Sequence, residues 1–157
     1  MDKSQFFTRN SLTSMLLVMV VTVVGVLFAA GGFVYSGSPS FCGSCHSMKY
    51  VYTTYKESNH KQFTCIDCHV PHDSVVDMMF VKGENGMRHT YHEFLRDYPD
   101  TINFTPKAKV IANKNCLRCH ISTVENTHMA AGGEDCISCH KGIAHRRNLN
   151  PGGIKVE

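Results

Sequence analysis

The sequence predicts a mainly α-helical protein with long loops, made of one N-terminal transmembrane helix followed by one compact domain. Three observations support this. The chain has 157 residues, enough for about one domain after an anchor is set aside. No Lys, Arg, Asp or Glu occurs from Asn10 to Met48. The remaining part is rich in Cys and His, so that apolar side chains alone are not expected to fill its interior.

The overall composition excludes two broad classes of protein. A hydrophobic content of 43% is too high for a disordered chain. A formal net charge of only +3 does not indicate the basic surface of a nucleic-acid-binding protein, so no nucleic acid is expected among the partners.

The apolar run from Ser14 to Val34 is long enough to cross a lipid bilayer. At about 1.5 Å of rise per residue, such a helix reaches roughly 30 Å, the thickness of the hydrocarbon layer. Lys3 and Arg9 precede it, which predicts a cytoplasmic N-terminus at 1–13, an anchor at 14–34 and a periplasmic domain at 35–157 of an inner-membrane protein. A cleaved signal peptide is the alternative, but the run exceeds a typical signal core.

All eight cysteines fall in four copies of the pattern C-x-x-C-H, which is the attachment signature of c-type haem. Two thioethers fix the porphyrin, and the next residue places an imidazole beneath the iron. Zinc or disulfides would leave the repeated histidine unexplained. Four covalently bound c-type haems would also fill the interior. The residues are Cys42, Cys45 and His46; Cys65, Cys68 and His69; Cys116, Cys119 and His120; and Cys136, Cys139 and His140.

The spacing of the motifs is short, long and short, which suggests two di-haem modules. Module one covers about 40–72, a connecting segment about 73–114, and module two about 115–147. Each module has one histidine between its motifs and another after them. These are His60 and His72 in module one and His128 and His145 in module two.

Four low-spin haems need four distal ligands, and the histidines outside the motifs can supply them. We expect His60 and His145 to bind iron, and His128 is a further candidate that is equally open to a surface role. His72 follows His69 so closely that a local hydrogen bond is favoured. Met48, two residues after the first motif, is a candidate iron ligand. A thioether in this place would raise the potential of the haem.

These residues resemble the NapC/NirT/NrfH family of membrane-anchored tetrahaem quinol dehydrogenases. The resemblance covers nearly the whole chain and is carried by FCGSCHSM at 41–48, CHVPH at 68–72 and CHKGIAH at 139–145. It implies a protein of the inner membrane that oxidises a membrane quinol, menaquinol, and passes electrons to a periplasmic multihaem reductase. The small size favours the NrfH branch, whose partner is cytochrome c nitrite reductase.

The resemblance also implies a set of iron ligands. Met48 would replace His46 at the first iron, His60 would bind the fourth, and His145 would bind the second. The third would take either His128 or a lysine of the partner.

The connecting segment is where the resemblance places the quinol site. Val75, Val76, Met79 and Phe80 form one apolar face of a predicted helix, which we expect to lie on the bilayer surface. Quinol oxidation releases protons as well as electrons, and Lys82 and His89 are the candidate catalytic acceptors. His89 is equally well placed to be a sixth ligand of the first haem. His89 and His92 are spaced so that both can share one side of the helix.

Two other functions fit parts of the sequence. A tethered tetrahaem carrier would have the same anchor and haems without a quinol site, or would serve another periplasmic reductase. A terminal reductase would need an open haem and converging basic groups. No basic cluster stands out in the sequence, so the chain is not expected to be the terminal reductase itself.

Overall fold

The computed structural model describes residues 3–99 and 102–145, and these are helical with no β-strand among them. The chain divides into two compact units between Ser36 and Gly37. The first unit is dominated by one helix, α1. The second holds six short or medium helices and one 3₁₀ turn. The elements are α1 Lys3–Tyr35, α2 Pro39–Cys42, α3 Lys49–Lys56, α4 Cys65–His69, α5 Val75–Leu95, α6 Pro106–Val124, the 3₁₀ turn His128–Ala131 and α7 Cys136–Cys139.

Helix α1 contains an apolar stretch from Ser11 to Tyr35 that is long and apolar enough to cross a membrane. Its large side chains are exposed on every side, as Leu17, Val24 and Phe28 show at 65%, 58% and 84%. A helix that is apolar all round suits a lipid environment rather than the surface of a soluble domain. The one hydroxyl in its middle, on Thr22, donates to the carbonyl oxygen of Val18 at 2.8 Å. The predicted span of 14–34 lies inside this stretch.

Most helices of the second unit begin at a side chain that caps the first turn. The side chains of Ser38, Ser74, Thr105 and Asp135 each accept a hydrogen bond from the backbone N–H three residues ahead. Thr64 caps α4 through a reciprocal capping box with Asp67. Such caps satisfy backbone donors that a short helix cannot satisfy itself. Even helices of four or five residues therefore start at defined positions.

The second unit buries few apolar side chains. No side chain among the described residues is fully buried, and the apolar residues that approach burial are small in number. They are Tyr55, Val70, Val81, Tyr98 and Ala112. The expectation that apolar side chains do not fill this domain is thus confirmed for the described residues.

Polar contacts join the motif-bearing helices. The side-chain amide of the buried Asn115 on α6 donates to the carbonyl oxygens of Cys68 at 3.0 Å and Val70 at 2.9 Å. The guanidinium of Arg118 donates to the carbonyl oxygen of Asp67 at 3.0 Å. These bonds fix the end of α4 against the middle of α6, and so fix the second motif against the third.

Helix α5 is the long helix that the connecting segment was expected to form. Its N-terminal turns expose Val75, Val76, Met79 and Phe80, between 56% and 74% each. It ends at Arg96, whose left-handed backbone (φ 55°) stops the helix. The helix is confirmed, and its position on a bilayer surface remains a prediction.

Replacing Asn115 with Ala removes both hydrogen bonds to the α4 carbonyl groups. Leaving one buried and one half-buried carbonyl without a donor should cost about 1–3 kcal/mol of unfolding free energy. Thermal unfolding of the detergent-solubilised, haem-loaded protein measures this as a lower Tm. Asn126→Ala, at an exposed position beyond α6, is the matched control. Equal Tm values in the two variants would show that Asn115 does not join the helices.

Candidate haem sites and quinol site

Three of the four C-x-x-C-H motifs have helical backbones. The second motif forms α4, the third lies in the C-terminal half of α6, and the cysteines of the fourth span α7. In two of them the chain closes the motif with a helical bond: Val70 N–H donates to the carbonyl of Ile66, and His140 N–H to that of Cys136. The first motif differs, because α2 ends at Cys42.

The motifs neighbour one another in chain order. Cys42 and Cys65 lie close enough for each to shift the pKa of the other, which brings motifs one and two together. Cys68 lies close enough to Cys119 for their charges to interact, and Cys116 stands in the same relation to Cys136. The attachment points of the four motifs therefore form one continuous series from the first to the fourth.

His145 lies opposite the histidine of the second motif. The ring centres of His69 and His145 are 6.2 Å apart, and Nδ1 of His145 is 3.2 Å from the carbonyl oxygen of Val51. A hydrogen bond from Nδ1 leaves Nε2 free for a metal, which is the usual arrangement of a ligating histidine. Burial lowers the pKa of His69 to about 4 and also lowers the pKa of His145. Both rings are neutral at pH 7, as iron ligands must be.

His60 lies opposite the histidine of the third motif. Its ring centre is 6.1 Å from that of His120, with the two rings inclined by 61°. The resemblance implied that His60 serves the fourth haem, whose motif contains His140, and the observed neighbour is different. Helix α6 departs from helical geometry at His120 (φ −108°, ψ 15°), so this ring is not held on the regular face of the helix.

The two histidine pairs fit the two faces of a haem. An imidazole nitrogen binds a transition metal at about 2.0 Å, so an iron between two such rings places the ring centres roughly 6 Å apart. The Nδ1 atom of His60 is buried without a hydrogen-bond partner, and none of the eight cysteines is paired in a disulfide. No three acidic, cysteine or histidine side chains of the described residues converge as a simple metal-ion site would require. The residues present therefore fit covalently bound haem.

The other histidines have different surroundings. Nε2 of His72 is 3.1 Å from the carbonyl oxygen of Ile66, which confirms the expected local hydrogen bond. Nδ1 of His92 pairs with Asp97 at 2.6 Å. The candidate ligand His128 is 81% exposed, with Nε2 3.6 Å from the carboxylate of Glu134, and within the described residues no motif histidine contacts its ring. Its surface role is thus the one that its surroundings favour.

The first motif is held by a residue that the sequence interpretation missed. The carboxylate of Glu93 on α5 accepts hydrogen bonds from the backbone N–H groups of His46 at 2.7 Å and Ser47 at 3.2 Å. It also accepts from the hydroxyl of Ser47 at 2.5 Å. Burial raises the pKa of Glu93, but these three bonds outweigh that effect and hold it below its usual range. The signal was present, because Lys82, His89 and Glu93 follow helical spacing along one side of α5.

Lys82 and His89, the candidate catalytic residues, also lie on α5 near the motifs. The ammonium of Lys82 is close enough to Cys42 for their charges to interact, although burial outweighs that effect and lowers its pKa. His89 in turn influences the titration of His69. Desolvation, followed by the charges of Arg88 and His92, lowers the pKa of His89. The structure brings Lys82 to the first motif and His89 to the second.

The helical fold, the four attachment motifs and the two histidine pairs beside them define a multihaem c-type cytochrome with one candidate membrane helix. The family model described as the NapC/NirT cytochrome c family, N-terminal region, matches residues 8–150. The chain belongs to this family, whose members bind haem c covalently, and its apolar helix anchors it in a membrane by a single pass.

Several relatives are similar over most of their length. Cytochrome c nitrite reductase subunit NrfH of Nitratidesulfovibrio vulgaris is 32% identical over 143 residues, or 89% of each chain. Cytochrome c-type protein NapC of Escherichia coli is 30% identical, covering 87% of this chain and 86% of the other. A crystal structure of the cytochrome c nitrite reductase NrfHA complex bound to the HQNO inhibitor contains a similar chain. It has a TM-score of 0.75 and 28% identity, and the match covers 91% of this chain and 98% of that one.

Replacing His60 with Ala should remove one axial ligand from one haem. We expect a quarter of the haem absorbance to change from a low-spin to a high-spin spectrum and added imidazole to restore it. Optical and EPR spectra of the purified protein measure this change. His128→Ala is the matched control and should leave the spectra unaltered. The opposite result, with His128 changing a haem and His60 changing none, would reject the pairing of His60 with His120.

Proposed function

We propose that this chain is the membrane-anchored quinol dehydrogenase subunit that supplies electrons to a periplasmic cytochrome c nitrite reductase. The observation that carries the proposal is the position of Lys82, a partly desolvated proton acceptor, beside the first of four neighbouring haem motifs. The similarity to the NrfH subunit and to the NrfHA complex supports the choice of partner. The substrate is menaquinol, and each motif binds one haem, four in all.

The order of the motifs supplies a route for the electrons. Lys82 of α5 interacts with Cys42 of motif one, and charge interactions link motif two to motif three and motif three to motif four. His69 with His145 would hold the second haem, and His60 with His120 the third. Among the described residues no second imidazole contacts His140, which is itself exposed. Haems held by these motifs would supply the electron-transfer chemistry, and the exposed His140 would be accessible to a ligand from the partner at the fourth motif.

Lys82 and His89 accept the protons that the quinol releases. A quinol gives up two protons with its two electrons, and each proton needs an acceptor near the donor oxygen. Desolvation lowers the pKa of Lys82, which makes its neutral form accessible at a lower pH than in a free lysine. The lowered pKa of His89 keeps this ring neutral and able to accept a proton. The inhibitor in the solved relative supports a quinol site in this family of folds.

The orientation in the membrane follows from charge. Lys3 and Arg9 precede the apolar helix, so residues 1–13 lie in the cytoplasm, 14–34 form the anchor and 35–157 lie in the periplasm. Such an arrangement places the haems on the side of the periplasmic reductase. The apolar N-terminal turns of α5 would then rest on the outer surface of the bilayer.

Replacing Lys82 with Met should slow oxidation of a menaquinol analogue by roughly 10- to 100-fold, because a proton acceptor is removed. The wild-type rate should rise with pH as Lys82 loses its proton, and this dependence should disappear in the variant. Stopped-flow haem reduction by the analogue measures both effects. Lys107→Met, which removes a lysine paired with Glu84 on the outside of α5, is the control.

Two outcomes would contradict this assignment. Equal rates in the Lys82 and Lys107 variants would remove Lys82 from the site. If dithionite reduces all four haems while no quinol analogue does so, even with the reductase present, the protein is a tethered carrier rather than a quinol dehydrogenase.

Replacing His89 with Ala should slow quinol oxidation, because a proton acceptor is removed. The spectra of all four haems should stay unchanged, because His89 does not bind iron. His92→Ala, three residues along the same helix, should leave the rate unaltered. Parallel kinetics and EPR spectra distinguish the two roles of His89. A new high-spin haem in the His89 variant would instead identify it as the sixth ligand of an iron.

A further inference from the structure

The first motif has the same sequence pattern as the others and a different backbone. In the second and fourth motifs, backbone N–H groups at or just after the histidine donate to carbonyls four residues back. In the first motif the N–H of His46 donates to Glu93 instead, and helix α2 has already ended at Cys42. A carboxylate from another helix thus replaces the internal bond of the motif.

The non-helical loop between α2 and α3, residues 43–48, is held by contacts at both of its ends. Gly43 lies against the ring of Tyr52 on α3, where a Cβ atom would overlap the ring. The N–H of Tyr52 donates to the carbonyl of Met48 at 2.8 Å, so Met48 stands at the start of α3. Ser47 is only 7% exposed, between these contacts and Glu93. The loop is therefore ordered by its own set of partners and is not a frayed end.

The side chains of His46 and Met48, which follow the second cysteine of the first motif, differ in burial. His46 is exposed, whereas Met48 is half-buried. Glu93 binds the two backbone N–H groups that lie between Cys45 and Met48. Since the cysteines attach the porphyrin, the backbone between them and Met48 decides which side chain can approach the iron.

We propose that Glu93 is a positioning residue that holds the first motif unwound, so that Met48 rather than His46 is presented to the iron of the first haem. This inference deepens the proposed function, since it rests on a haem being bound at the first motif. It assigns a reason, in this chain, for one motif of four to depart from histidine ligation. The same carboxylate couples the ligand choice to α5, the helix that carries Lys82 and His89.

A carboxylate suits this role better than the amide of the same size. Both oxygens of an ionised carboxylate accept, so it can bind two consecutive backbone N–H groups and a hydroxyl together. Glutamine keeps the shape but would set an N–H₂ donor against a backbone N–H donor. The substitution Glu93→Gln therefore keeps the size of the side chain but disrupts its hydrogen bonds.

The test uses the full-length, haem-loaded protein in detergent with Glu93→Gln. We expect one haem of four to move to a lower midpoint potential and to change its EPR signal, because a histidine replaces the thioether, with the other three unchanged. Amide hydrogen exchange at His46 and Ser47 should become faster in the same variant. Spectroscopic redox titration needs no quinol, so failure of this proposal is separate from failure of the quinol assignment.

Three further variants are compared with Glu93→Gln. Glu84→Gln alters another glutamate of α5, one that pairs with Lys107, and should change no haem. Ser47→Ala removes only the hydroxyl bond to Glu93 and should shift the same haem in the same direction by a smaller amount. Met48→Leu should affect that haem too. The proposal is overturned if Glu93→Gln and Ser47→Ala leave every haem unchanged, or if Glu84→Gln produces the same shift.

Discussion

The shortage of apolar side chains inside the haem domain is the constraint from which the rest of the structure follows. A folded domain normally gains most of its stability from burying apolar surface. Here the described residues bury only a few such side chains, with none fully enclosed. Covalently bound porphyrins supply the missing apolar volume, and the chain has to be shaped around them. Short capped helices joined by loops accompany this shortage in the part of the domain that the structure describes.

Histidines from distant parts of the chain meet in pairs within this domain. His145 follows the fourth motif and lies against the second, while His60 precedes the second motif and lies against the third. An iron bound between the rings of such a pair would close a long loop, and like a cross-link it would lower the conformational entropy of the unfolded chain. The amide of Asn115 ties the second motif to the third in a direct contact.

Much of this arrangement could be predicted from the sequence, because its signals are local. The anchor is readable from one uninterrupted apolar run, and the haem attachment sites from four copies of one short motif. The local bond of His72 reaches Ile66, only six residues earlier in the chain. The partner of His60 could not be predicted in the same way. It depends on how the segment after α3 meets the kinked end of α6, which is a long-range contact.

Glu93 was missed for a related reason. An acidic residue on a helix is usually a solvated one, and the sequence shows only its spacing from Lys82 and His89. Its importance lies in the two N–H groups that it meets some 50 residues away along the chain, a contact that the fold creates.

Helix α5 joins two requirements that a quinol-oxidising cytochrome has to meet at one end of its haem series. Electrons from a quinol must enter a haem of suitable potential, and protons must leave to bases at the same place. On α5, Lys82 stands beside Cys42, and Glu93 binds the backbone after Cys45. A single rigid helix therefore sets the position of a proton acceptor and the conformation of the adjacent haem-binding loop. Because both depend on the same element, a shift of α5 would alter the base and the ligand together. The second and fourth motifs instead close with a helical bond of their own.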